Sequence, residues 1–151
     1  MTARDEPLIR NRGHRLGKPS VGLAITVVLL IIAAAEVRRY KRHALAPFAD
    51  LSRVYLELAL AGDSAGMRAR ATDDRAVAST LSLARGDPER VRAAVRTMRL
   101  INGRRDSAHA SVFFRTNVDW CAGVVGAADL QATFDRVAGT WKIHYAGVGP
   151  C

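Results

Sequence analysis

HASVFFRT, residues 109–116, is where the chain stops reading as helix. Ala110, Val112, Phe114 and Thr116 alternate with His109, Ser111, Phe113 and Arg115, a period of two that puts successive side chains on opposite faces of a strand. The alternation returns at Leu130, Ala132 and Phe134 against Gln131, Thr133 and Asp135, and again at Trp141, Ile143 and Tyr145 against Lys142 and His144. Between the last two runs Val137-Ala138-Gly139 reads as a turn, so the C-terminal end is an antiparallel hairpin with one apolar and one polar face.

Upstream of residue 107 the period is close to 3.6. Phe48, Leu51, Val54, Tyr55, Leu58 and Ala61 recur at spacings of three and four, and Gly62 stops the pattern. Ser64 to Ala71 is a second helical piece. Asp73 or Asp74 caps a third, carrying Val77, Leu81 and Ala84 up to Gly86. Asp87-Pro88-Glu89 places a capping carboxylate, a proline at the first helical position and an acid in the first turn. A fourth helix is therefore expected over 88–101. Its apolar face is Val91, Val95, Met98 and Ile101, and Arg92, Arg96 and Arg99 at i, i+4 and i+7 form a basic ridge that faces either a partner or solvent. Helices first and a strand meander afterwards give an α+β fold, a curved antiparallel sheet packed against three to four helices. The expected core sets Leu130, Phe134, Trp141, Ile143 and Tyr145 against Leu51, Val54 and Leu58 and against Val91, Val95 and Met98.

Further upstream lies VGLAITVVLLIIAAA, residues 21–35, without a charge and with a single hydroxyl. Residues 19–37 would make roughly 28 Å of helix, close to a hydrocarbon core of about 30 Å, and are expected to form one transmembrane helix. Lys18 on one side and Arg38, Arg39, Lys41 and Arg42 on the other flank it at headgroup level. The basic stretch after Ala35 opposes signal cleavage, which makes a retained signal anchor the expectation. The expected organisation is a disordered cytoplasmic tail (1–18), the span (19–37), a basic stalk (38–46) and an extracytoplasmic α+β domain (47–151). Flanking charge, five cations before the run and four after it, barely orients the span. Orientation rests instead on Cys121 and Cys151, an even pair after the run that suits one disulfide in an oxidising compartment; two unrelated buried thiols are the alternative.

The 151 residues carry 23 Lys plus Arg against 14 Asp plus Glu. Residues 1–43 hold nine of those cations and three of the acids, so most of the basicity lies beside the apolar run. Anionic headgroups account for such a cluster, and no nucleic-acid partner is expected.

VYLELALAGDSAGMRARA (54–71) resembles the opening of the nuclear transport factor two-like (cystatin-like) superfamily, and ADLQATFDRVAGTWKIHYAG (128–147) resembles its closing hairpin. Tail, span, stalk and such a domain also resemble the mammalian-cell-entry-associated membrane proteins. That resemblance implies a single-pass protein of a bacterial inner (cytoplasmic) membrane, with its C-terminal domain extracytoplasmic and its partners the lipid bilayer and other subunits of an envelope complex. Enzymes of the superfamily use a conical pocket lined by acids, His or Tyr. Here the candidates are His109, Asp119, His144 and Tyr145, which no spacing rule brings together. Four histidines and two distant cysteines offer no metal-ligand spacing, and no glycine loop cradles a phosphate. A non-enzymatic accessory or scaffolding subunit without cofactor is the expected function. The alternative is a pocket that holds a lipid or another small hydrophobic ligand.

Overall fold

The computed structural model describes residues 21–120 and 128–150. The chain divides into two units, Met1–Val37 and Arg38–Cys151. The tail residues with Lys18, and both Cys121 and Cys151, lie outside the described residues.

In the first unit the described residues belong to the N-terminal part of α1, Val21–Ala61. From Gly22 onward they are exposed, with Leu23, Leu30 and Ile31 at 59%, 65% and 63%. The expected transmembrane helix is corrected here: among the described residues no helix is long and apolar enough to cross a membrane. α1 does not end with its apolar run but carries on through Glu36, Arg38, Arg39, Lys41 and Arg42.

The second unit is α+β. After α1 come α2 (Ser64–Arg68), α3 (Asp74–Gly86) and α4 (Pro88–Thr97), then β1 (Arg99–Arg105), β2 (His109–Arg115), β3 (Leu130–Val137) and β4 (Thr140–Val148). The four strands form one antiparallel sheet in the order β1-β2-β3-β4. Residues 38–46, read from the sequence as a stalk, are helical, and Pro47 sits inside α1, where its missing N–H leaves the His43 carbonyl without an i+4 donor. Local chemistry sets the helix ends. Gly62, at φ 71°, closes α1 in a Schellman motif: its N–H donates to the Ala59 carbonyl at 3.1 Å and that of Asp63 to Leu58 at 3.0 Å. Asp63, Asp73 and Asp87 then cap α2, α3 and α4, accepting from the backbone N–H of Gly66, Ala76 and Arg90.

The helices cover one face of the sheet. α1 contributes Leu45, Phe48, Ser52, Tyr55, Leu56 and Ala59, and the buried Ser52 hydroxyl donates to the Phe48 carbonyl at 2.7 Å. The stripe is rotated from the expected one: Leu51 and Leu58 are only partly buried, and Val54 is 39% exposed. Phe48 and Tyr55, seven positions apart, bury the largest area and decide which way the helix faces. From the sheet come Val112, Phe114, Leu130, Phe134 and Ile143, with Val91, Val95 and Met98 beneath them. A buried Thr80 hydroxyl on α3 donates to the Ala146 carbonyl of β4 at 2.8 Å.

Two further expectations are corrected. α4 stops at Thr97, and the residues that follow pair with β2, so Arg99 lies opposite Arg115 rather than on a helix with Arg92 and Arg96. Tyr145 does not join Ile143 in the core. The β3–β4 register shifts between Thr133 and Phe134, which sets Tyr145 opposite Thr133, with its hydroxyl donating to the Val148 carbonyl at 2.9 Å.

Two predictions follow from local strain and burial. The β3–β4 turn places both Ala138 (φ 48°) and Gly139 (φ 82°) at positive φ, a geometry that disfavours a residue bearing Cβ. Ala138→Asn is expected to raise stability by about 0.5–1 kcal/mol, read as a higher melting temperature. The Tyr55 hydroxyl is buried with the Thr80 side chain facing it and no well-formed hydrogen bond among the described residues, and burial pushes its pKa up to about 12. The folded state thus keeps a proton that the unfolded chain releases near pH 10, so stability falls as pH rises from about 10 to 12. Tyr55→Phe is expected to remove that part of the alkaline loss while leaving the neutral-pH melting temperature equal or higher.

Candidate anion-binding cleft

Beside the edge strand β1 the second unit carries an open cleft of about 600 Å³, lined by Tyr40, Lys41, Ala44 and Leu45 of α1 and by Gly103, Arg104, Arg105 and Asp106. A neighbouring hollow of about 380 Å³ shares Lys41, Leu45 and Gly103 and adds Arg38, Arg42, Leu100, Ile101 and Asn102. Together they form one groove along the strand. The close approach of helix and strand requires Gly103: a Cβ there would lie 2.6 Å from the Ser111 carbonyl oxygen and 2.9 Å from Leu45 Cδ1.

Five cations face this groove, Arg38, Lys41, Arg42, Arg104 and Arg105, and among the described residues no carboxylate forms an ion pair with any of them. Arg105 is held differently. Its guanidinium lies 5.5 Å from the ring centroids of both Phe48 and Trp141, a cation–π arrangement on the rim of the core. Phe48 meets Trp141 edge-on at 5.0 Å, and the Arg136 guanidinium is 6.0 Å from the Trp141 ring. The one acid of the groove, Asp106, spends its carboxylate on the β1–β2 turn: Oδ1 accepts from the N–H of Ala108 at 2.8 Å and of His109 at 2.7 Å. Those donors hold its carboxyl below the ordinary range. A carboxylate so engaged is a poor proton acceptor. The groove has the chemistry of binding, with guanidinium and ammonium donors suited to phosphate oxygens.

A second polar group sits on the sheet. His109 Nδ1 lies 2.8 Å from Asp135 Oδ1, and His144 Nδ1 lies 3.3 Å from Asp135 Oδ2. The partner of His109 is thus Asp135, its cross-strand neighbour in register. The Asp119 carbonyl accepts from Arg90, whose guanidinium also stacks 4.5 Å from the Trp120 ring. His144 also lines a small hollow with Ser79 and Tyr145, and among the described residues no group of three or more His, Cys, Asp or Glu is arranged to hold a metal ion.

Of the basic residues singled out from sequence, Arg38, Lys41 and Arg42 line the groove. Arg39 shares their helix, Arg92 pairs with Glu89 on α4, Arg96 is exposed on the same helix, and Arg99 opens β1. The fold therefore does not gather Arg92, Arg96 and Arg99 on one helix face. Arg104 and Arg105 were not foreseen. The signal for them was the sequence RRDSAH (104–109), in which an Asp able to cap a tight turn follows an Arg pair.

No family model, no curated protein and no solved structure matches this chain.

Gly103→Ala tests the geometry of the groove. The added methyl has to push the Ser111 backbone or the Leu45 side chain aside, and a loss of about 1–3 kcal/mol is expected in chemical denaturation.

Proposed function

We propose that the chain is a non-enzymatic accessory subunit that works at a membrane and uses its α+β domain to engage a larger complex. The observation that carries this reading is the exposed apolar stretch of α1. Leu23, Ile25, Val27, Val28, Leu29, Leu30, Ile31 and Ile32 all present roughly half or more of their surface, within one short run of helix. A contiguous apolar surface of this kind is an interaction site, because leaving it in water costs about 25 cal/mol for every Å². Lipid is the occupant that its surroundings favour. The run is apolar on every side rather than along one stripe, and Arg38, Arg39, Lys41 and Arg42 follow it directly, where anionic headgroups would meet them.

The accessory role draws on the groove, whose guanidinium and ammonium donors suit a docking surface. The space between helices and sheet, where a small hydrophobic ligand would sit, is filled by Phe48, Tyr55, Met67, Phe114, Leu130, Phe134 and Ile143. The resemblance to mammalian-cell-entry-associated proteins points the same way.

Extraction of the full chain in mild detergent, followed by size separation and mass spectrometry, is the test. The expected outcome is recovery from the membrane fraction together with a stoichiometric protein partner. Recovery in the aqueous fraction, alone and without detergent, would overturn the reading.

A further inference from the structure

We propose that the groove between α1 and β1 is a docking site for the phosphate-bearing headgroup of an anionic phospholipid. The proposal rests on the membrane-associated reading above and adds the part of the lipid that the folded domain recognises. Lys41 and Arg42 come from a helix and Arg104 and Arg105 from a strand far along the chain, so their convergence is a product of the fold and not of a charged run in the sequence.

Three observations favour this ligand. Among the described residues none of the five cations forms an ion pair, and the single acid beside them, Asp106, which feels Arg104, has its carboxylate committed to the β1–β2 turn, so the groove keeps a net positive charge. Arg105 is positioned against the faces of Phe48 and Trp141, so a guanidinium loses less freedom when it takes up a phosphate. The groove is also amphiphilic: Ile101 is 46% exposed on its edge and Tyr40 is 76% exposed. A phosphate beside a glycerol backbone matches that division, whereas a nucleic acid would leave the apolar part unused. At about 600 Å³ the main cleft lies within the range of roughly 300–1,000 Å³ that ligand sites occupy.

Vesicle binding of the full chain separates this proposal from the reading on which it rests. Vesicles of phosphatidylcholine alone report the apolar stretch, and vesicles that also contain phosphatidylglycerol report the groove. The chain is expected to bind both, and the anionic ones more tightly. Lys41→Gln with Arg104→Gln, two exposed positions, is expected to weaken binding to the anionic vesicles by about fivefold for each charge and to leave binding to phosphatidylcholine unchanged. Arg75→Gln with Arg85→Gln on α3 removes the same charge elsewhere and is expected to have a much smaller effect. Lys41→Arg with Arg104→Lys keeps the charge and should keep the preference. Equal losses in the two Gln doubles would reduce the effect to net charge and overturn the proposal, as would a parent chain with no preference for the anionic vesicles. Duplex DNA that displaces the parent from these vesicles, but not the groove double, would overturn it in favour of a nucleic acid. Failure to bind phosphatidylcholine at all would instead overturn the membrane reading.

Discussion

The edge-on contact of Phe48 with Phe134, centroids 5.0 Å apart, is the point on which the domain is assembled. One ring fixes the rotation of α1 about its axis, because placing Phe48 over β3 brings Leu45, Ser52, Tyr55 and Ala59 to the same side. The same ring touches Trp141 and, through it, the rim where Arg105 and Arg136 lie. Rotating the helix by one residue would bury Val54 in place of Tyr55 and carry Lys41 away from β1. Core packing and the basic groove are thus two consequences of one helix orientation.

How much of this was legible in the sequence depended on whether the deciding contact was local. Helix ends were legible at Gly62 and at Asp87-Pro88, where the left-handed glycine and the capping carboxylate act within a few residues. The β3–β4 hairpin was legible because two alternating runs flank a turn. β1 was not. RLINGRR alternates poorly and is strand only because β2 supplies its hydrogen bonds, with a register shift between Leu100 and Asn102. Tyr145 failed for a related reason: counting by twos assumes an unbroken pleat, and the irregularity after Thr133 breaks it.

The apolar run shows the limit of composition. Its length and purity invite the description of a separate spanning segment, yet the backbone does not recognise that boundary, and the helix continues through Glu36, four cations and Pro47 to Ala61. Ala, Arg, Lys and Leu between Val37 and Leu60 favour helix, and burial of Phe48, Tyr55 and Leu56 against the domain offsets the hydrogen bond that Pro47 removes. The groove was illegible for the opposite reason. Two of its five cations, Arg104 and Arg105, come from a strand that only the tertiary fold brings beside α1.

The two margins of the sheet are treated differently. β4 is met at Ile143 by the segment 70–72, where the Ile143 N–H donates to the Arg70 carbonyl and the Thr72 N–H to the Ile143 carbonyl, both at 2.8 Å. β1 has no such strand beside it among the described residues, and it carries Arg99, Arg104 and Arg105 along its length. Two copies meeting margin to margin would bring like charges together, so this edge resists ribbon growth by repulsion, not by cover. A guard of that kind depends on the medium: concentrated salt or a bound polyanion cancels it, while the two backbone hydrogen bonds at Ile143 are indifferent to screening.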